Sequence, residues 1–313
     1  MSYPKNKKEP LVSILMNCYN GESFIKESIQ SVLDQKYNNW ELVIWDNKST
    51  DNSAKIIKSF QNLDKRIKYY LSPTHENLGV GRANAWPYLN GKYLVVLDTD
   101  DLFKPDKLSE QVKSLENLDY GISISNTEFF KKNKKFLLYK YPPPINKGVS
   151  KLIEKYYISL ESVMISLEKT KQFNLSFDKN FSHIADFDLI IRLCNKVKIT
   201  YVDKVLFSWR VHENSQTWLQ QEKFYIELIE WCLNNENNKE FYLLFKEIRK
   251  LKKRSIYRLF AEYFFSLNFN NLKLLLIKHD IYNPLMILNC LSYLIFYLLI
   301  KSSKRLLLFL KLR

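Results

Sequence analysis

Over residues 11–118 short apolar runs alternate with helix-spaced segments, a pattern that predicts βαβ units around a mostly parallel sheet. Residues 12–16 predict a first strand. Phe24, Ile25, Ile29, Val32 and Leu33 then fall on one helical stripe. The run 42–45 predicts a second strand, closed by Asp46, residues 67–71 a third, and residues 79–89 a short helix. The uninterrupted apolar run 93–97 reads as a strand covered on both faces, with Asp98 at its carboxyl end. Pro105 suits the first turn of a helix that Leu108, Val112 and Leu115 continue.

The stretch 121–157 is less regular and carries Pro142, Pro143 and Pro144 in a loop expected near the site. Residues 163–166 and 205–211 predict strands, and 186–194 a helix start. Beyond Thr217 the chain turns helical to its end, with no internal repeat. The expectation is an α/β chain: a polar tail over 1–10, a doubly wound, mostly parallel domain over 11–217, a helical region over 218–270 and a basic, apolar segment over 271–313. Open sheets of this kind bind ligands outside the carboxyl ends of their strands, where residues 17–20, 46–49 and 98–101 fall.

Charge changes the picture at the far end. The net +15 is concentrated late, in Arg249, Lys250, Lys252, Lys253 and Arg254 and again over 301–313, beside long apolar stretches rather than in a compact recognition helix. An anionic membrane face is therefore the expected partner, and nucleic acid is not. The apolar run 285–300 is shorter than the roughly 20 residues a crossing takes. Residues 271–313 are accordingly expected to attach the protein to the cytoplasmic face of the cell membrane without spanning it, with a pair of packed helices as the alternative. Cys18, Cys194, Cys232 and Cys290 form no CxxC pair, and the lysine-rich N-terminus has no signal-peptide h-region behind it, so a reducing, cytoplasmic setting is expected.

The sharpest chemical signal is Asp98-Thr99-Asp100-Asp101. Acids directly after a buried strand cost desolvation unless something positive meets them. Mg2+ or Mn2+ fits, since either takes a few carboxylate oxygens and keeps waters and phosphates as its other ligands. An acidic cluster stabilised at a helix N-terminus ahead of Pro105 is the alternative.

The stretches 12–20 (Val-Ser-Ile-Leu-Met-Asn-Cys-Tyr-Asn), 45–51 (Trp-Asp-Asn-Lys-Ser-Thr-Asp), 77–79 (Asn-Leu-Gly) and 97–101 (Leu-Asp-Thr-Asp-Asp) stand in one order. They are followed by 185–189 (Ala-Asp-Phe-Asp-Leu) through Arg192, and by 209–215 (Trp-Arg-Val-His-Glu-Asn-Ser). In this combination the chain resembles the family 2 glycosyltransferases with the GT-A fold, over about residues 11–217. The resemblance implies that Tyr19 lines the base pocket of a nucleotide-sugar donor and that Asp46 hydrogen-bonds its uracil ring. It implies Asp98 near the ribose and the metal, Thr99 beside the donor, Asp100 on the metal, and Arg82 against the diphosphate. His212 resembles a histidine that approaches the metal or the diphosphate. Asp186 resembles the general base that takes the acceptor proton, with Asp188 a structural or acceptor-side residue. The other readings are a packed aromatic for Tyr19, a turn-forming residue for Asp46 and a helix-terminal charge for Asp186.

Asn47 and Lys48 replace the family's common Asp and Gly, and Ala185 replaces the usual Glu. None of these removes a group that an inverting transfer needs. The resemblance implies transfer from a donor, expected to be a UDP-sugar, to a glycan or lipid-linked acceptor. A polyprenyl-phosphate sugar synthase and an inactive nucleotide-sugar-binding subunit are the alternatives; the 209–215 motif weighs against the first, and the retained Asp98, Asp100 and Asp186 against the second.

Overall fold

The computed structural model describes residues 9–116, 120–132, 134–145, 148–212, 220–279, 292 and 294. Contacts divide the chain into two units, Met1–Lys131 with Phe136–Val211, and Lys132–Lys135 with His212–Arg313.

The first unit is built on a twisted sheet. Its strands are β1 (Val12–Cys18), β2 (Trp40–Asp46), β3 (Ile67–Leu71), β4 (Tyr93–Val96), β5 (Leu102–Phe103), β6 (Tyr120–Lys131), β7 (Lys134–Leu137), β8 (Val163–Ser166) and β9 (Lys198–Arg210). They run in the order β3-β2-β1-β4-β8-β6-β9-β5, with β7 beside β6. β1 pairs in parallel with both β2 and β4. Chain order therefore reverses at β1, and the switch point at which sheets of this kind bind ligands falls at the carboxyl ends of β1 and β4. Beyond β4 the sheet is mixed, because β8 runs antiparallel to β4 and to β6.

β1 and β2 are buried at every residue, as expected of strands covered on both faces. On one face Ile14, Met16, Leu42 and Ile44 meet Ile25, Ile29 and Val32 of α1 (Ile25–Leu33) and Ile57 of α2 (Ser53–Leu63). On the other, the buried Glu41 accepts from the Ser13 hydroxyl at 2.6 Å and pairs with Lys68 at 2.5 Å.

Two expectations need correction. The expected helix over 79–89 stops earlier: α3 (Leu78–Ala85) gives way to a 3-10 turn at Trp86–Tyr88, where Pro87 has no N–H to continue it. The stretch 121–157 is more regular than expected, since it holds β6, β7 and the helix α5 (Gly148–Glu154), although Pro142, Pro143 and Pro144 do fall in a loop. β6 hides in the sequence because Ser123, Ser125 and Thr127 alternate with Ile122 and Ile124, yet all five are buried. Its serines are satisfied inside, Ser123 by Ser114 at 2.7 Å and Ser125 by the Ser162 carbonyl at 3.3 Å.

The second unit holds helices Gln221–Asn235, Phe245–Phe265 and Phe269–Lys278 around a core that includes Ile229, Leu259, Phe260 and Leu275. The boundary expected near Thr217 lies outside the described residues, as does the run 285–300 apart from Ser292 and Leu294. No helix among the described residues is long and apolar enough to cross a membrane.

Candidate active site

The site is assembled where β1, β2 and β4 end. Parallel register sets Cys18 beside Asp46, so the loops that follow these strands leave the sheet together. They are laced to each other: the Asn20 N–H donates to Ser49 Oγ (3.0 Å), the Thr50 N–H to Asn20 Oδ1 (2.8 Å), and the Gly21 N–H to Ser53 Oγ (2.8 Å). Lys48 sits in the left-handed region at φ 62°, where a glycine would be unstrained.

Asp46 is buried. Its Oδ1 accepts from the Ser49 N–H (2.8 Å) and its Oδ2 from the Tyr69 hydroxyl (2.7 Å). Burial and the Asp46 carboxylate push the Tyr69 phenol far above its ordinary value, which keeps it a donor. Each Asp46 oxygen has a second lone pair to offer. Tyr19 is 47% exposed, and its ring centroid lies 4.2 Å from that of His75. His75 Nδ1 is in turn 3.1 Å from the Asn47 carbonyl oxygen.

After β4 the acidic loop is held from outside. The Ser28 hydroxyl lies 2.7 Å from the carbonyl oxygens of both Thr99 and Asp101. Arg210 donates to the Asp100 carbonyl (2.9 Å) and to Glu27 (2.7 Å), with its guanidinium over the rings of Phe24 and Phe130. The buried Asp101 accepts from the Arg210 N–H at 2.7 Å. Burial, then the charges of Asp100, Glu161 and Asp98, push the Asp101 carboxyl far up. Gly21 lets the β1 loop lie against Thr99, since a Cβ there would stand 3.0 Å from Thr99 Oγ1.

Arg82, buried on α3, ties the acids together. Its Nη2 donates to Asp98 Oδ1 at 3.1 Å, while its Nε is buried with no hydrogen-bond partner among the described residues. Asp186 is half-buried in the first turn of α7 (Ala185–Cys194). Burial raises its proton affinity, Arg82 and the local N–H groups oppose that rise, and Asp98 adds to it. The 3-10 turn at Leu160–Ser162 supplies a further acid, Glu161, which the sequence reading misses. It is buried, accepts from the Ser159 hydroxyl at 2.9 Å, and is raised by burial and by Asp98 against Arg82. Its one signal is an acid two residues ahead of the apolar run 163–165.

Asp188 has a separate role. It is buried and accepts from Arg192 Nε on both oxygens at 3.0 Å and from Arg192 Nη2 at 2.5 Å. Arg192 also donates to the Ser176 carbonyl, fixing the approach to α7. Asp188→Ala strands that guanidinium and should lower stability by about 3 kcal/mol. Urea denaturation checks this, and an unchanged midpoint would remove the structural role.

Gly79 lets the start of α3 lie against the loop ahead of α7: a Cβ there would stand 1.7 Å from the Phe181 carbonyl oxygen, four residues before that helix. His212 is half-buried and opens the second unit. Among the described residues no three His, Cys, Asp or Glu side chains converge as a metal cluster.

The family model for Glycosyl transferase family 2 matches residues 13–169. An Escherichia coli protein named UDP-Glc:alpha-D-GlcNAc-diphosphoundecaprenol beta-1,3-glucosyltransferase is 30% identical over 193 residues, spanning 62% of this chain and 73% of its own. TuaG of Bacillus subtilis strain 168, a glycosyltransferase whose name assigns it to teichuronic acid biosynthesis, is 26% identical over 238 residues, 72% of this chain and 93% of its own. A mannosyltransferase of Pyrobaculum calidifontis, solved with GDP-Man and Mn2+, superposes with a TM-score of 0.60 at 15% identity, covering 97% of this chain and 89% of that one. At that identity the likeness shows the shared GT-A fold.

Proposed function

Because this chain belongs to glycosyltransferase family 2, we propose that it transfers a sugar with inversion from a UDP-sugar to a glycan or lipid-linked acceptor, at the carboxyl ends of β1 and β4. The observation that carries this reading is the joint setting of Asp186, Arg82 and Asp98. A carboxylate with raised proton affinity stands under the influence of the same buried cation that ion-pairs with the acid after β4.

In the donor pocket, Asp46 accepts the base's imide N–H on a remaining lone pair, and Tyr19 stacks on the ring. Asp98 receives the ribose hydroxyls, Thr99 borders the donor, and Arg82 turns its buried charge toward the diphosphate. Asp100 and Asp98 are hard oxygen donors matched to Mg2+ or Mn2+, cations that take a few carboxylate oxygens and keep waters and the donor's phosphates as their other ligands. Such a cation would supply charge neutralisation at the departing diphosphate.

Asp186 holds the acceptor hydroxyl and takes its proton as the oxygen bonds to the anomeric carbon. The bond from that carbon to the diphosphate breaks on the opposite face, and UDP leaves. Because the acceptor oxygen itself attacks, no covalent enzyme intermediate forms.

Work at the inner face of the cell membrane, through the basic C-terminal part, belongs to the same reading, since a lipid-linked acceptor is presented there. A panel of nucleotide sugars with and without Mn2+, read by calorimetry and by release of nucleotide, tests the proposal. UDP-sugars should bind and turn over; preference for GDP-sugars would overturn the base-pocket roles of Tyr19 and Asp46.

A further inference from the structure

The second unit exposes a run of apolar side chains at the turn between its last two described helices, and apart from that run Tyr242 and Leu243 are exposed ahead of the other end of the first of them. Helix Phe245–Phe265 ends in Phe264 and Phe265, the turn carries Leu267, and helix Phe269–Lys278 begins with Phe269. Leu267 is 71% exposed, Phe269 59%, Leu274 63% and Ile277 52%. The inner side of the same hairpin is already core, through Leu259, Phe260 and Leu275. Apolar residues therefore occupy both the inner and the outer side of this tip.

Leu267 adds an independent observation. Its φ is 57°, in the left-handed region that favours glycine or asparagine, and a branched apolar residue is strained there. The turn is nonetheless firmly built. The Leu267 N–H donates to the Phe264 carbonyl, the Asn268 N–H to the Tyr263 carbonyl, and Asn268 Oδ1 caps the next helix at the Asn271 N–H. A turn meant only for water would be relieved of strain and of apolar exposure together by glycine, and this one keeps leucine.

Charge lies along the same helix. Phe245–Phe265 holds seven basic and two acidic residues. Lys246, Arg249, Lys250 and Lys253 are exposed and follow i, i+3, i+4, i+7 spacing, which makes one stripe. Phe264 stands about five helical turns beyond Lys246, on the same side.

We propose that this apolar tip and basic stripe form a docking surface for an anionic lipid bilayer, with residues 264–274 entering the headgroup boundary and the stripe resting on the phosphates. The proposal deepens the membrane reading of the preceding section and rests on it. A bilayer is the partner that uses both features, apolar anchors and cations. Nucleic acid would engage the stripe and leave Leu267 and Phe269 with nothing to meet. A second copy of the chain, related by a twofold axis, would bring two stripes of like charge together.

Flotation of the full-length chain with vesicles of equal parts phosphatidylglycerol and phosphatidylcholine tests this. Leu267→Gln, Phe269→Gln and Leu274→Gln together alter only exposed positions and should weaken partitioning by at least about tenfold. Lys246→Gln, Lys250→Gln and Lys253→Gln should cost about fivefold each on these vesicles and nothing on phosphatidylcholine alone. Thermal melting and UDP-sugar affinity should stay at parental values in both variants. If the parent floats and both variants float equally well, the lipid contact lies elsewhere in the chain and this inference falls while the membrane reading stands. If the parent itself stays at the bottom of the gradient, both fall. Light scattering that shows a parental dimer dissociated by the leucine and phenylalanine changes would assign the surface to self-association and overturn the proposal.

Discussion

Asp186→Asn is expected to bind the UDP-sugar as the parent does and to lose transfer by about a hundredfold to ten-thousandfold, the usual contribution of a positioned base. The substitution preserves shape at the start of α7 and removes only the ability to take a proton. Asp188, two residues on, offers no substitute, because Arg192 engages both of its oxygens. Burial, which raises the Asp186 carboxyl, sets the direction of the pH dependence. A base must be deprotonated, so kcat/KM should fall as pH drops through this raised value, with an acid limb above the ordinary aspartate range. Single-turnover transfer with donor affinity measured in parallel is the check. Parental rates in the variant would reject Asp186 as the base.

Asp100→Asn should remove the dependence of donor binding on Mg2+ or Mn2+ and weaken affinity in their presence by at least about tenfold, since a carboxylate ligand becomes a neutral amide facing a diphosphate. Loop shape should survive, because Arg210 grips position 100 through its carbonyl oxygen. Calorimetry with UDP, with and without metal, separates the outcomes. Equal metal-dependent affinity in parent and variant would place the cation on other residues. The two variants should differ in kind, one failing at chemistry and the other at binding.

The parallel half of the sheet is legible in the sequence because each of its strands is a run of apolar residues with polar punctuation at its end. Asp46 closes β2, and Tyr19, Asp98 and Asp100 fall just past the ends of β1 and β4, where that punctuation puts them; the roles given to them come from the family resemblance. β6 is illegible for the converse reason: Ser123 and Ser125 read as surface, and only their hydrogen-bond partners on other elements make burial tolerable. Glu161 and the Arg82–Asp98 pair belong to the same class. Their meaning lies in neighbours far along the chain, and no local spacing encodes it. The early end of α3 could have been read from Pro87, whose missing N–H is a local fact.

The acidic loop after β4 is fastened largely through its main chain, by Ser28 at two carbonyls and by Arg210 at a third. Its conformation and its reactivity are thus written in different residues. In descent, positions 99 and 100 can drift or be exchanged between lineages while the loop keeps its path. New donor preferences can then arise by substitution at the rim without the fold being rebuilt underneath.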